Sequence, residues 1–241
     1  MLRQAAQEGV HVVLATTRNP NTAQALCRAL GINDPMICTN GAQVWASPDD
    51  PVWAHYCLAQ GVALAIAQLA DRHDWELSIT VSSMTYWRQR PGQALGPIGP
   101  NRLVVVRNAD AVTGDVVRIL AHQPEAIDSI RSLCHSRFPG QCFTETFYRP
   151  DNSVNSLGVF APRANKGTAL ALVLDRLGIA PQQVKAIGDN INDLAMFAHA
   201  RVCVAMGNAP DEVKQRATAV APANDEEGVA WALQRFVLGQ S

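Results

Sequence analysis

Apolar and polar positions alternate along the chain with two periods. Residues 2–8 have helical composition, with Gly9 suited to a C-cap. Residues 10–15 (Val-His-Val-Val-Leu-Ala) are an apolar, β-branched run of strand length that ends at Thr16-Thr17-Arg18. A helix is predicted over residues 21–30, capped by Asn21 or Thr22 and stopped by Gly31. A short strand follows over 35–39, closed by Asn40-Gly41. The last third repeats the alternation: a helix over 166–177 stopped by Gly178, a strand over 183–187, a helix to about 200, a strand over 201–206, a helix starting near Pro210 and a last helix over 227–236. Strands alternating with helices predict a parallel sheet.

The middle differs in texture. Residues 49–53 read as a junction, 58–70 and 124–137 as helices, and 75–81, 102–107, 115–120, 141–147 and 156–160 as strands. Residues 90–100 carry three prolines and three glycines and read as a loop. The expected architecture is α/β, a Rossmann-like parallel-sheet core interrupted by an inserted α+β module. The boundaries are 1–45 for the first part of the core, 46–161 for the insertion and 162–241 for the rest of the core.

Composition narrows the function. The 241 residues are 48% hydrophobic and 17% charged, enough to bury a core and too apolar for a disordered chain. Lys and Arg (20) balance Asp and Glu (21), so no electrostatic footprint for nucleic acid or an anionic membrane exists, and neither partner is expected. No run approaches the roughly 18 apolar residues of a membrane-spanning helix. Residues 1–9 lack the apolar segment of a signal peptide. The six cysteines (Cys27, Cys38, Cys57, Cys134, Cys142, Cys203) form no CxxC pair, so reduced thiols and a cytoplasmic location are expected. The six histidines show no metal-ligand spacing and read as structural or exposed. The five tryptophans read as packing residues rather than as a base-stacking platform.

Chemistry concentrates at predicted strand ends, where open parallel sheets bind ligands. Gly188-Asp189-Asn190-Ile191-Asn192-Asp193 is the sharpest signal: a tight turn followed by two carboxylates four residues apart, hard oxygen ligands suited to Mg²⁺. Capping by Asp189 and a macrodipole role for Asp193 would explain one aspartate, but not the six-residue set. Thr16-Thr17-Arg18 suits an anion nest, and equally an ordinary ST-turn. Lys166 offers a point charge to phosphate, yet sits in a helix's first turn, where it opposes the macrodipole. Asn40-Gly41 is either a β-turn or a ligand contact. Trp87, Arg88 and Arg90 are candidates from the insertion to meet a substrate.

Together these pieces resemble the haloacid dehalogenase superfamily, specifically the Cof-like phosphatases, over nearly the whole chain. Residues 12–18 are similar to its VxATGR motif, with Thr17 in place of glycine. Asn40-Gly41-Ala42 resembles the NGA loop, Lys166-Gly167-Thr168-Ala169-Leu170 the KGxAL motif and Gly188 to Asp193 the GDxxND motif. Residues 204–209 resemble VAMGNA, and 224–230 the NxxDGVA ending. The resemblance implies a mobile cap in the insertion and a Mg²⁺-dependent phosphatase of a small phosphorylated metabolite, a sugar phosphate or similar. In that family an aspartate attacks phosphorus to give an aspartyl-phosphate that water cleaves, and a second aspartate protonates the leaving group. Carried over, Thr16 and Lys166 are the catalytic residues, binding the phosphoryl group and offsetting its charge. Thr17, Arg18, Asn40 and Asn192 contact phosphate, and Asp189 and Asp193 hold Mg²⁺, Asp193 directly or through water.

The family's first motif, Asp-x-Asp-Gly-Thr, has no counterpart before Thr16. Loss of a central strand would leave roughly ten backbone groups unpaired at ~1–3 kcal/mol each, against a net domain stability of ~5–15 kcal/mol. The expectation is therefore that Met1 is an internal methionine of a longer natural protein. An in-frame stop codon shortly upstream, with no Asp-x-Asp-Gly after it, would refute this. The rival reading is a phospho-ligand-binding pseudoenzyme that keeps Thr16, Lys166 and Asp189 but cannot attack. A dinucleotide-binding fold is disfavoured because no GxGxxG follows a strand.

Overall fold

The computed structural model describes residues 1–89, 101–149, 151 and 153–239. The chain opens with α1 (Leu2–Gln7), β1 (Leu14–Ala15), α2 (Pro20–Leu30), β2 (Met36–Cys38), β3 (Gln43–Trp45) and β4 (Val52–His55). The middle holds α3 (Gln60–Arg72), β5 (Leu77–Val81), β6 (Met84–Arg88), β7 (Arg102–Val105), β8 (Val116–Ala121), α4 (Pro124–Arg137), β9 (Phe143–Tyr148) and β10 (Val154–Phe160). The end holds α5 (Lys166–Leu177), β11 (Lys185–Gly188), α6 (Leu194–Phe197), β12 (Val202–Ala205), α7 (Asp211–Gln215), β13 (Ala219–Val220) and α8 (Gly228–Phe236). Two compact units result: Met1–Ala54 with Asn165–Ser241, and His55–Ala164.

The discontinuous unit contains two sheets rather than one: β1-β2-β3-β4 and β11-β12-β13. β1 runs parallel to β2, and β11, β12 and β13 are mutually parallel, whereas β2 and β3 pair antiparallel. β1 and β11 each stand at the end of their sheet. One apolar cluster joins the two: Ile37 and Val44 pack with Ala169, Val173, Ala186 and Ala205, and Val13 and Ala15 lie against them. Parallel pairing aligns carboxyl ends, so Thr16 and Thr39 leave β1 and β2 at one edge.

Three expectations need correction here. The strand expected over 10–15 shrinks to Leu14–Ala15, because His11 Nδ1 and the Val12 amide are bonded to Asp34 at 2.7 and 2.8 Å instead of to a neighbouring strand. The first long helix starts at Pro20, not at 21: Asn19 is its N-cap, accepting from the Thr22 amide at 3.0 Å, and Pro20 fills the first turn. The junction at 49–53 instead contributes to β4, and β3, β6 and β13 are strands that the apolar pattern did not reveal. Gly31 and Gly178 close α2 and α5 in the left-handed region, as their positions predict. The expected loop over 90–100 and Arg90 lie outside the described residues.

His55–Ala164 is an α+β unit with a six-stranded sheet, β7-β6-β5-β8-β10-β9. Every pairing is antiparallel except β6 with β7. Helices α3 and α4 bury Ile66, Ala70, Ile127 and Ile130 against Leu77, Ile79, Ile119, Leu157 and Val159. Arg88 is held inside this unit by the Asp74 carboxylate and by the Trp75 carbonyl at 3.2 Å. Trp87 stacks on His122 at 5.8 Å, with the Arg102 guanidinium over its ring.

Candidate active site

The Thr39-Asn40-Gly41 turn is built from left-handed backbone. Three successive residues have φ of 51°, 61° and 93°. That is easy for glycine, tolerable for asparagine and strained for a β-branched threonine. Thr39 is fully buried, and its hydroxyl donates to Gln43 Oε1 at 2.9 Å. Gly41 is required on a second ground: a Cβ there would lie 2.3 Å from the Asn165 carbonyl carbon and oxygen. The turn thus presses against the start of α5.

Thr16 leaves β1 into the same edge. Its amide donates to the Ile37 carbonyl at 2.8 Å, and its carbonyl accepts from Asn40 N at 3.0 Å. Its Oγ1 accepts from Arg18 N at 3.1 Å, so the ST-turn forms. The hydroxyl hydrogen still has somewhere else to point. Thr17 is half-buried and Arg18 exposed. The Arg18 carbonyl accepts from Thr39 N at 2.8 Å, which ties the two turns together.

Lys166 is buried at the first position of α5, where Asn165 caps the helix by accepting from Thr168 N at 2.9 Å. Gly167 admits the close approach of the Ala195 carbonyl, which a Cβ would meet at 2.4 Å. Lys166 Nζ donates to Asp193 Oδ1 at 2.6 Å and to Asn192 Oδ1 at 3.4 Å. Asn192 Nδ2 donates to Asn40 Oδ1 at 2.9 Å. A chain of bonds therefore runs from Thr16 through Asn40 and Asn192 to Lys166 and Asp193.

The turn after β11 divides the two aspartates between different tasks. Asp193 is buried, and its Oδ2 accepts from the amides of Asp189 and Asn190 at 2.9 and 3.0 Å. Gly188 permits this, since a Cβ would lie 2.4 Å from Asp193 Cβ. Asn190, not Asp189, supplies the capping side chain of the following turn. Asp189 is exposed, and among the described residues nothing bonds its carboxylate. Capping roles for Asn165 and Asn190 were not anticipated; the Asn-x-x-Thr spacing of 165 and 168 is the signal that carries the first.

The family profile of the haloacid dehalogenase-like hydrolases matches residues 1–233. The chain belongs to this family. It is 29% identical over 239 residues to the 5-amino-6-(5-phospho-D-ribitylamino)uracil phosphatase YcsE of Bacillus subtilis (strain 168), covering 98% of this chain and 86% of that protein. A haloacid dehalogenase-like hydrolase from B. subtilis superposes with a TM-score of 0.80 at 22% identity, covering 98% of this chain and 90% of the other. The subclass IIB sugar phosphatase BT4131 superposes at 0.77 and 20% identity, covering 98% and 88%. As a haloacid dehalogenase phosphatase, the chain is a phosphoric monoester hydrolase for a phosphorylated small molecule.

Proposed function

We propose that this phosphatase is Mg²⁺-dependent and hydrolyses a small phosphorylated metabolite, a sugar phosphate or similar, through an aspartyl-phosphate. The observation that carries the reading is the linked set Thr16, Asn40, Asn192, Lys166 and Asp193 beside an unpartnered Asp189 carboxylate. The donor set fits Mg²⁺: it is all oxygen, with one exposed carboxylate, and Mg²⁺ ordinarily completes its shell with waters and phosphate oxygens. When bound, Mg²⁺ supplies charge neutralisation and orientation of the phosphoryl group.

In this reading Asp189 is the direct metal ligand. Asp193, with Oδ1 on Lys166 and Oδ2 on two amides, acts mainly by holding Lys166 and the Asp189 backbone, and reaches the metal through water. Lys166 offsets the charge of the phosphoryl oxygens. The Thr16 hydroxyl donates to one of them, the Thr17 and Arg18 amides and Asn40 line the same turn, and Asn192 orients Lys166 and contacts phosphate. The 241 residues contain no Asp-x-Asp-Gly, so these residues account for the binding and neutralising half of the chemistry. The unit His55–Ala164 serves as the cap. The relatives named above support the substrate class: one acts on a phosphoribityl compound and one is a sugar phosphatase.

Asp189→Ala tests the assignment. Phosphate release from a panel of sugar phosphates and an aryl phosphate is measured with and without Mg²⁺, alongside calorimetric binding of inorganic phosphate. In a protein extended by a segment that supplies the nucleophilic aspartate, the variant is expected to lose Mg²⁺ dependence and about 10²-fold or more in turnover, and in these 241 residues to lose Mg²⁺-dependent binding of phosphate. Unchanged Mg²⁺ affinity in the variant would overturn the metal assignment, and turnover indifferent to Mg²⁺ would overturn the function.

A further inference from the structure

Away from these residues, the unit His55–Ala164 gathers a second set of ligating side chains. His55 is the last residue of β4, and Cys57 follows two positions later, just beyond the strand's end. The segment is fixed alongside β8: the Leu58 amide donates to the Val116 carbonyl at 2.8 Å, and Asp115 is the residue just before that strand. The Asp115 carbonyl is itself held by the Ser82 amide at 3.1 Å. The β5–β8 register shifts between Thr80 and Val81, an irregularity of the kind that re-aims side chains at a strand end. One imidazole nitrogen, the Cys57 sulfur and one Asp115 oxygen all lie within 4.8 Å of one another.

We propose that His55, Cys57 and Asp115 form a binding site for a borderline-soft divalent cation of the Zn²⁺ class, with water in the fourth position. The ligand types select it: thiolate and imidazole suit Zn²⁺ and Co²⁺, whereas Mg²⁺ and Ca²⁺ take oxygen. The spacing fits as well. Tetrahedral bonds of about 2.0–2.3 Å put ligand atoms about 3.3–3.8 Å apart, so side-chain rotations of about 1 Å close the set. The set also differs from a cysteine nucleophile with its base. Burial, together with Asp115, pushes the Cys57 thiol up to about 11, so without a metal it stays protonated at neutral pH. A cation would displace that proton and convert the thiol to a bound thiolate. Binding would also clamp residues 55–57 to the start of β8, across 58 positions of chain between Cys57 and Asp115.

Titration of the full metal-free chain with Co²⁺ tests this without reference to activity. One equivalent is expected to give the near-ultraviolet thiolate-to-cobalt absorption and the visible bands of a tetrahedral site. Excess Mg²⁺ should leave them unchanged, and Zn²⁺ should abolish them. Cys57→Ser should remove the charge-transfer band, while Cys134→Ser keeps it. His55→Ala and Asp115→Asn should each weaken Co²⁺ binding at least about tenfold, since even the partners of metal ligands commonly account for 10–100-fold. If Cys57→Ser does not fold, as judged by circular dichroism, Asp115→Asn carries the decision, because Asp115 is exposed just before β8. No band, a band that survives Cys57→Ser or is lost with Cys134→Ser, or affinity unmoved by both His55→Ala and Asp115→Asn overturns the proposal.

Discussion

Lys166 and Asp193 make a contact whose energetics follow from burial. Their side chains are 7% and 4% exposed, and their ion pair spans 2.6 Å. Two charges removed from water lose several kcal/mol of hydration each, and only the attraction between them and the surrounding amides returns it. Lys166 also opposes the dipole of α5, so Asp193 is what makes a lysine acceptable at that position. Removing one partner leaves the other charge buried alone. Asp193→Asn and Lys166→Met are each expected to destabilise the protein by about 3–5 kcal/mol, while the double variant costs less than the sum. A urea-unfolding double-mutant cycle measures this, and additive losses would show that the contact is not coupled. Gly41 sets the second residue-scale constraint. Gly41→Ala meets the Asn165 carbonyl at 2.3 Å and a φ of +93°. Its expected cost is about 1–3 kcal/mol of backbone strain alone, read as a lowered urea midpoint with an unchanged m-value.

At the scale of elements, the caps decide where the site residues stand. Asn165 fixes the start of α5 through a reciprocal pair with Thr168, its Oδ1 accepting from the Thr168 amide and its Nδ2 donating to Thr168 Oγ1, both at 2.9 Å. Asn165→Ala is expected to cost about 1 kcal/mol and to loosen Lys166, seen as faster amide exchange over 166–169 relative to the end of α5. The same local chemistry explains what could be read from the residues and what could not. α4 and α5 were legible to the residue, because Pro124 and Gly178 mark their ends with strong backbone preferences. The ligand-rich turns were legible because glycine, asparagine and aspartate cluster there for steric and hydrogen-bonding reasons that act within a few residues. β1 was overread because its apolar run says nothing of Asp34, 22 residues away, which captures the Val12 amide. β3 and β13, of three and two residues, carry too short a pattern for any period to register. The separation of Asp189 from Asp193 was likewise hidden, since either can face a metal until the Lys166 and amide bonds are known. The His55, Cys57 and Asp115 set was missed because its third member comes from a strand start far along the chain.

For the molecule as a whole, two units with separate cores imply two stabilities, and one of them holds two imidazoles whose pKa burial lowers. His55 and His122 both belong to His55–Ala164, and burial lowers the pKa of each below its usual value. For His122 the neighbouring Arg118 and Arg149 lower it further, against a raising contact from the Asn155 carbonyl. For His55 the Asp115 carboxylate opposes the burial. In the unfolded chain these rings titrate near ~6.5. Folded, they stay neutral to lower pH, so between the two values the unfolded chain binds more protons. Stability of this unit therefore rises with pH, is fully present above ~6.5 and is lost as pH falls below it. Amide exchange of β5, β8 and β10, corrected for intrinsic rates and compared at about pH 7.5 and about pH 5.5, is expected to show lower protection at the acid value. His55→Asn with His122→Asn should flatten that difference. An equal loss of protection in the double variant would mean that groups other than these imidazoles take up the protons.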